Sequence, residues 1–215
     1  MIWLRDHLGE VSALTVQHVY LAGVPLVLGL LIALPLGWLA RRYRGLYPIL
    51  IIGTGLLYTI PSLALFIMLP LLLGTKILDP ANVVIAMTIY TVALLVRTVA
   101  DGLGSVPDAV NQSATAMGYT RARRFMSVEL PLAVPVISAG LRVAAVSNVS
   151  IVSVAALIGV SQLGSLFTDG FNRTFLDPII VGVLACVLLA LLFDGAILGV
   201  TRLVTPWQRA GKEPS

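Results

Sequence analysis

The sequence predicts an all-α integral membrane protein with about five transmembrane helices. Hydrophobic residues make up 58% of the 215 residues and charged residues make up 11%, and the mean hydropathy is +0.99. A typical soluble domain carries about 25% charged residues, and a soluble globule must cover its surface with polar groups. Composition therefore places the chain in a membrane, and five apolar runs supply the spans.

Each apolar run is close to the roughly 20 residues needed to cross a hydrocarbon core about 30 Å thick. The second run contains Pro61, with Tyr58 and Ser62 beside it, which predicts a kink. That kinked helix either lines a polar path or packs like any other helix. The predicted runs are 19–40, 46–75, 80–96, 143–168 and 178–201, the fourth starting earlier, near Leu132.

The distribution of Lys and Arg predicts the orientation, because cytoplasmic loops are enriched in both. An N-terminus outside and a C-terminus in the cytoplasm leave only Arg5, Lys76 and Arg173 outside. The net charge of +4 is therefore a signal of topology and does not indicate nucleic-acid binding. The basic residues predicted inside are Arg41, Arg42, Arg44, Arg97, Arg121, Arg123, Arg124, Arg142, Arg202, Arg209 and Lys212.

The predicted organisation is one transmembrane domain, residues 19–207, with a short segment at each end. Residues 1–18 mix charged and apolar side chains, which indicates an amphipathic helix at the interface, with a loose tail as the alternative. They lack the apolar core and cleavage site of a signal peptide. Residues 208–215 are a polar cytoplasmic tail, and residues 100–131 form a long cytoplasmic loop within the domain.

The cytoplasmic loop is polar and basic, and it lies between two apolar spans. Pro107 and Asp108 predict the start of a helix with Asp108 as its cap, and residues 109–117 suit a helix. Gly118 ends that helix or lets another backbone approach closely. Pro131 begins the next span, where a missing N–H costs little. We expect a short helix across the cytoplasmic face; the alternative is a plain connector that obeys the positive-inside rule.

Three charged residues lie in or near the predicted spans. Asp194 interrupts the fifth run, and we expect it to form a structural hydrogen bond to a neighbouring helix, although a buried acid also suggests function. Arg97 and Arg142 lie near predicted cytoplasmic span ends, where long side chains reach back to the interface. We expect both arginines to anchor the spans rather than to bind substrate.

Small polar residues inside the spans are candidates for a transport path, although such residues equally join helices to one another. Tyr58 and Tyr90 are far apart in sequence, and the chain shows no aromatic cluster of the kind that holds quaternary ammonium groups. The candidate path residues are Tyr58, Pro61, Ser62, Asn148, Ser150 and Ser153.

Several classes of function lack their sequence motifs. The chain has no phosphate-binding Gly-x-x-x-x-Gly-Lys-Ser/Thr loop, no His-Glu-x-x-His and no Cys/His cluster. We therefore predict that it is not an enzyme, binds no ATP by that route and holds no metal. Cys186 is the single cysteine, so no disulfide can form within the chain.

The loop resembles the "EAA" loop of ABC-importer permeases, in which Glu-Ala-Ala is followed by Gly and then by Ile-x-Leu-Pro. Here the loop has Gln112-Ser113-Ala114, then Gly118, and then Val128-Glu129-Leu130-Pro131. Gln112 stands where that family has Glu, and Ser113 replaces the first Ala.

Three further segments, 59–66, 96–107 and 155–164, resemble the permeases of glycine betaine, carnitine and choline importers, a family of osmoprotectant transporters. Residues 160–162 depart from that family, which has small residues and glycine there. The resemblance implies a type I ABC-importer transmembrane domain in the bacterial plasma membrane, importing glycine betaine, choline or carnitine.

The resemblance also implies the partners. They are a second permease subunit (a related paralogue or a second copy of this chain), two ATP-binding subunits that bind ATP and Mg, and an extracytoplasmic substrate-binding protein that selects the solute. This chain itself would bind no cofactor. The residues implied to couple to the ATPase are Gln112, Ser113, Ala114, Met117, Gly118, Arg121, Glu129, Leu130 and Pro131.

Three alternatives stay open from sequence. The solute could be an amino acid, a polyol or another betaine. The chain could be a secondary transporter or channel that works without ATP, although it lacks the repeated halves of many such proteins. It could also be a purely structural membrane subunit.

Overall fold

The computed structural model describes residues 2–43 and 45–207, which form helices joined by short turns. Arg44 and the predicted tail 208–215, with Arg209 and Lys212, lie outside the described residues. Four helical segments are long and apolar enough to cross a membrane, and one bent helix pair is a fifth candidate. The predicted all-α fold with about five spans is confirmed.

The longer helices overlap the predicted apolar runs, and shorter helices lie between or before them. The described helices are α1 (Ile2–Asp6), α2 (Leu8–Arg42), α3 (Leu46–Thr59), α4 (Ser62–Leu73), α5 (Pro80–Gly104), α6 (Asp108–Ala116), α7 (Arg121–Arg124), α8 (Leu130–Val152), α9 (Ser165–Asn172) and α10 (Leu176–Val204). We call the end of the molecule that carries α6 the loop end.

Helix α2 runs without a break from Leu8 to Arg42, so the predicted boundary at residue 18 falls inside it. His18, at that boundary, is fully buried. Close packing of α2 against α5 depends on small residues. A Cβ atom on Gly37 would lie 2.6 Å from Cγ1 of Val99, closer than real Cβ contacts.

The second predicted span, 46–75, bends more sharply than the predicted kink. It is broken into α3 and α4, which meet at an angle of 99°. Proline disfavours helical backbone in the residue before it, and Ile60 is extended with ψ 129°. The Tyr90 hydroxyl on α5 donates a hydrogen bond to the Ile60 carbonyl, and the Thr59 hydroxyl donates to the Leu56 carbonyl at 2.7 Å. These bonds satisfy carbonyls that the break removes from the helix.

Helix α5 extends to Gly104, eight residues beyond the predicted end of the third span at residue 96. Its start matches the prediction, with the Asp79 side chain accepting a hydrogen bond from the Ala81 amide at 2.9 Å. Arg97 lies on an exposed part of the helix, 3.8 Å from Asp101 one turn later. Residue 100, where we predicted that the cytoplasmic loop begins, thus lies inside α5, four residues before the helix ends.

The fourth span starts earlier and ends earlier than predicted. One helical segment runs from Arg121 to Ile158. It contains a π turn at Phe125–Glu129 and a 3₁₀ turn at Ser153–Ile158. The π turn directly precedes Pro131, whose ring would clash with a carbonyl one turn earlier in a regular α-helix. Gly159, with φ 86°, ends the segment, so residues 159–168 do not belong to this span.

Two buried apolar clusters hold the bundle together. One contains Phe66, Met87 and Leu163, and the other contains Leu95 and Ala133. By contrast, α10 turns many large side chains outward, including Leu184, Leu188 and Leu192. In lipid, such side chains gain little from burial, so close packing and hydrogen bonds carry the association of the helices.

Candidate functional site

The loop contains the expected helix, α6, which runs from Asp108 to Ala116. We predicted that Asp108 caps this helix, but Asp108 is its first residue. The N-cap is Pro107, which makes no side-chain capping bond. A carboxylate in the first turn is still favourable there, because the exposed N–H groups of a helix start carry partial positive charge. Ala114 is buried, and Gln112 and Ser113 are exposed.

Gly118 ends α6, as the sequence predicts, in a left-handed conformation with φ 83°. The Gly118 amide donates to the Thr115 carbonyl at 3.0 Å, and the Tyr119 amide donates to the Ala114 carbonyl at 3.1 Å. These two bonds are the Schellman arrangement, in which glycine avoids the strain that a Cβ would bring. A Cβ built on Gly118 meets nothing within 4 Å in this chain. No other part of the described chain therefore fills the space beside Gly118.

The surface next to Gly118 combines an exposed apolar side chain with an exposed basic one. Met117 is 68% exposed although its side chain is apolar, and Arg121 is exposed a few residues later. A shallow groove beside α6 is lined by Asn111, Gln112 and Arg124, among others. The Asn111 Oδ1 atom is buried there without a hydrogen-bond partner among the described residues.

Arg124 ties α6 to the base of α8. Its Nε donates to Oε1 of Glu129 at 2.7 Å, and its Nη1 donates to Oγ1 of Thr115 at 2.9 Å. Glu129, Leu130 and Pro131 are half-buried within the long helical segment rather than in a loop. The nine loop candidates thus fall into two groups. Those from Gln112 to Arg121 lie on the loop surface, except for the buried Ala114, and the last three lie behind it at the base of α8.

The candidate path residues do not form one site. Tyr58, Pro61 and Ser62 lie at the break between α3 and α4. Tyr58 and Tyr90 are far apart in sequence, but in the structure their rings pack edge to face with centroids 5.8 Å apart. Tyr90 is 3% exposed, so this pair joins helices and does not form an open cage.

The remaining three path candidates lie on α8 or at its end. Asn148 is buried, and its Nδ2 donates to the Ala22 carbonyl at 3.2 Å and to Oγ1 of Thr91 at 3.0 Å. Ser150 is exposed on a different side of the helix, and the Ser153 hydroxyl donates to the Val149 carbonyl at 3.3 Å. Asn148 therefore joins three helices, and Ser150 faces away from them.

Arg142 and Asp194 form an ion pair between α8 and α10, with Nε to Oδ1 at 2.6 Å and Nη2 to Oδ2 at 2.8 Å. The expected hydrogen bond from Asp194 to a neighbouring helix is confirmed. Arg142, which we predicted to anchor its span at the interface, directs its guanidinium to Asp194 on the neighbouring helix. The predicted spans contain few charged residues, so the presence of one Arg and one Asp among them was a signal of pairing that the sequence analysis missed.

A second polar contact that sequence reasoning missed joins α2 to the segment after α8. His18 Nδ1 lies 3.1 Å from Oε1 of Gln162, and His18 Nε2 lies 3.0 Å from the Val149 carbonyl oxygen. Gln162 also donates to the Ser153 carbonyl at 3.2 Å. Gln162 lies in the stretch where the sequence departs from the osmoprotectant permeases, which was the available signal.

Among residues 2–43 and 45–207, no group of three or more His, Cys, Asp or Glu side chains is arranged to hold a metal ion.

Curated proteins similar to this chain are permeases. The osmoprotectant import permease protein OsmW of Salmonella typhimurium is 35% identical over 208 residues, which cover 95% of this chain and 96% of that protein. The glycine betaine/carnitine/choline transport system permease protein OpuCD of Bacillus subtilis is 31% identical over 191 residues, 88% of this chain and 82% of that protein.

Solved structures share the fold. The MetNI methionine ABC transporter in an inward-facing conformation aligns with a TM-score of 0.79 at 21% identity, over 95% of this chain and 98% of that chain. An amino acid ABC transporter aligns with a TM-score of 0.72 at 14% identity, over 94% and 97%. The fold is that of a type I ABC-importer transmembrane domain.

The family described as "binding-protein-dependent transport system inner membrane component" matches residues 26–209, which is most of the chain. Members of this family are non-enzymatic membrane subunits of importers, with ATP hydrolysis carried by a separate subunit. The chain therefore belongs to the binding-protein-dependent transport system inner membrane components.

Proposed function

We propose that this chain forms half of the translocation path of an ATP-driven importer for a quaternary ammonium osmoprotectant such as glycine betaine, choline or carnitine. The observation that carries the solute class is the likeness over nearly the whole chain to permeases with those names, at 29–35% identity. The importer's membrane component and its inner-membrane location follow from the family itself.

The proposed complex contains a second permease subunit, two ATP-binding subunits that carry ATP and Mg, and an extracytoplasmic substrate-binding protein. The loop end faces the cytoplasm in this proposal, with the N-terminus outside. The Lys and Arg distribution supports that orientation. The exposed Met117 and the open space beside Gly118 support α6 as the surface that meets the ATPase.

Coupling requires that a movement of α6 reach the spans. We propose that the Thr115–Arg124–Glu129 link carries it, because that link joins α6 to the base of α8 by charge-assisted hydrogen bonds. ATP binding shifts the transporter between states only through contacts that differ between those states. Gln112 is exposed and can offer a hydrogen bond at the position of the usual Glu, but it lacks the charge. Coupling through this chain is then weaker, or the second permease subunit carries the stronger loop.

The test is uptake of labelled glycine betaine by cells that lack their own uptake systems and express this chain with its partner subunits. Gly118→Trp is the test variant, because its bulk fills the open space at the proposed ATPase contact. Gly74→Trp is the matched control, because Gly74 also adopts a left-handed backbone, with φ 66°, and a Cβ built on it also meets nothing within 4 Å. Unlabelled choline, carnitine and proline serve as competitors.

We expect uptake that depends on ATP, survives Gly74→Trp and is lost in Gly118→Trp with normal membrane insertion. Normal uptake by Gly118→Trp would remove α6 from the mechanism. Absence of betaine uptake by an assembled wild-type complex would discard the solute class and leave the permease intact.

A further inference from the structure

The Arg142–Asp194 ion pair lies deep within its two helices and not at their ends. Arg142 is 12 residues beyond Leu130, where α8 begins, and Asp194 is 10 residues before Val204, where α10 ends. At about 1.5 Å of rise per residue, both side chains start roughly 15–18 Å from those helix ends. That distance is about half the thickness of a hydrocarbon core of roughly 30 Å, so the pair lies well inside both helices.

The pair is only partly covered by this chain. The Arg142 side chain is 39% exposed and that of Asp194 is 27% exposed. The two carboxylate–guanidinium bonds close the pair on the side between α8 and α10. Its remaining surface is turned away from the rest of the chain.

The residues next to the pair leave room for another molecule. Ala139, three residues before Arg142 and thus its neighbour on the helix surface, is exposed and small. Gly195 directly follows Asp194, and a Cβ built on it meets nothing within 4 Å. The exposed face of α8 therefore has short side chains where α10 shows large leucines to its surroundings. The exposed residues in this half of α8 are Ala139, Val143, Val146 and Ser150.

Charged side chains within membrane spans face the protein interior or water, because contact with hydrocarbon is costly. The open side of this pair thus indicates an aqueous surface rather than lipid. A guanidinium has five N–H donors in a planar fork, and Asp194 takes two of them. Within the described part of the chain, three donors are left for a further acceptor on the open side.

We propose that Arg142 and Asp194 form a solute subsite in the transport path that receives a zwitterion. A solute carboxylate accepts hydrogen bonds from the free side of the Arg142 guanidinium, and its cationic end lies beside the Asp194 carboxylate. A solute with both charges can approach the pair while Arg142 and Asp194 each keep an opposite charge nearby. The solute must, however, compete with the bonds that Arg142 and Asp194 make to each other. Binding is therefore weak, as conduction through a path requires. This proposal rests on the proposed function, from which it takes the solute class.

The first test asks whether the open side is aqueous, and it needs no solute. In a Cys186→Ser background, which removes the single cysteine, Ala139→Cys is exposed to a membrane-impermeant thiol reagent in the assembled importer. Leu188→Cys on α10, at an exposed apolar position, is the control. We expect labelling of the cysteine at position 139, slowed by glycine betaine, and no labelling at position 188. An unlabelled position 139, covered by lipid or by a second permease subunit, would overturn the proposal.

The second test separates a subsite from a structural clamp. The double variant Arg142→Gln/Asp194→Asn keeps a hydrogen bond between the helices and removes both charges. We expect uptake of glycine betaine, which has a carboxylate, to fall about tenfold or more relative to choline, which has none. Arg142→Lys, which keeps the charge but loses the fork, should give an intermediate ratio.

Equal loss of both solutes, or equal retention, would overturn the subsite and leave the pair as a clamp. If the wild-type importer moves neither solute, the proposed function fails. The labelling at position 139 then still decides whether the ion pair borders water.

Discussion

Asn148 on α8 and Thr91 on α5 hydrogen-bond to each other in the buried centre of the bundle, with Asn148 Nδ2 3.0 Å from Thr91 Oγ1. The same amide group donates to the Ala22 carbonyl on α2 at 3.2 Å. One side chain thus joins three helices at a point that lipid cannot reach. A carboxamide can do this because it offers two N–H donors and a carbonyl acceptor.

Asn148→Leu should therefore destabilise the protein, because it leaves the Thr91 hydroxyl without that partner and forces a branched side chain into the contact. We expect a loss of about 1–3 kcal/mol in the free energy of unfolding. Thermal unfolding of the purified complex in detergent measures it. Ser150→Ala, on the exposed face of the same helix, is the control and should change stability little. An equal effect from both variants would contradict the role of the Asn148 contact.

Gly118→Ala should weaken the end of α6 without any steric clash inside the chain, because a Cβ there meets nothing within 4 Å. A left-handed conformation costs an L-residue roughly 1–2 kcal/mol. We expect partial loss of uptake at normal membrane levels, less than for Gly118→Trp. Gly45→Ala, where φ is −73°, should leave uptake unchanged. Full uptake by Gly118→Ala would show that the left-handed turn is dispensable.

Arg124→Ala should uncouple ATP hydrolysis from transport, because it breaks both bonds that tie α6 to α8. The observable is the number of ATP molecules hydrolysed for each solute imported in proteoliposomes, which should rise. Thr115→Val removes one of the two bonds and should give a smaller rise. The ion pair is partly exposed, so each bond is worth only about 1 kcal/mol. A coupling ratio identical to wild type in Arg124→Ala would argue against this route.

His18 and Gln162 should behave as a unit, because each satisfies polar atoms that the other would leave buried. Gln162→Ala also leaves the Ser153 carbonyl without its donor. We expect a double-mutant cycle of His18→Ala and Gln162→Ala to give a coupling of about 0.5–3 kcal/mol in unfolding free energy. Additive single effects would mean that the contact contributes nothing of its own.

Composition and local spacing determine what sequence could predict here. Apolar runs predict the spans because a helix must be apolar along its whole length in the hydrocarbon core. Gly118 predicts the end of α6 because a left-handed turn depends on the local residue. The break after α3 was foreseen only as a kink at Pro61, since its angle depends on what packs against it. Tyr90 supplies one of those contacts by bonding the Ile60 carbonyl.

The contacts between distant segments could not be predicted in the same way. Arg142 and Asp194 lie 52 residues apart, and His18 and Gln162 lie 144 apart. The residues around each side chain do not indicate which distant side chain it will contact in the folded chain. The helix boundaries were missed for a related reason, because α5 and α7 include residues outside the apolar runs, where apolarity no longer marks a helix.

The π turn at Phe125–Glu129 has a consequence for tolerance to changes in chain length. Arg124 and Glu129 are five positions apart, whereas neighbours on an α-helix are three or four apart. They meet because the wider turn accommodates one additional residue. Deleting a single residue between Arg124 and Glu129 would restore regular winding and leave the two residues four positions apart, which keeps them neighbours on the helix surface. The ion pair should therefore tolerate the loss of one residue here, provided that both charges are kept.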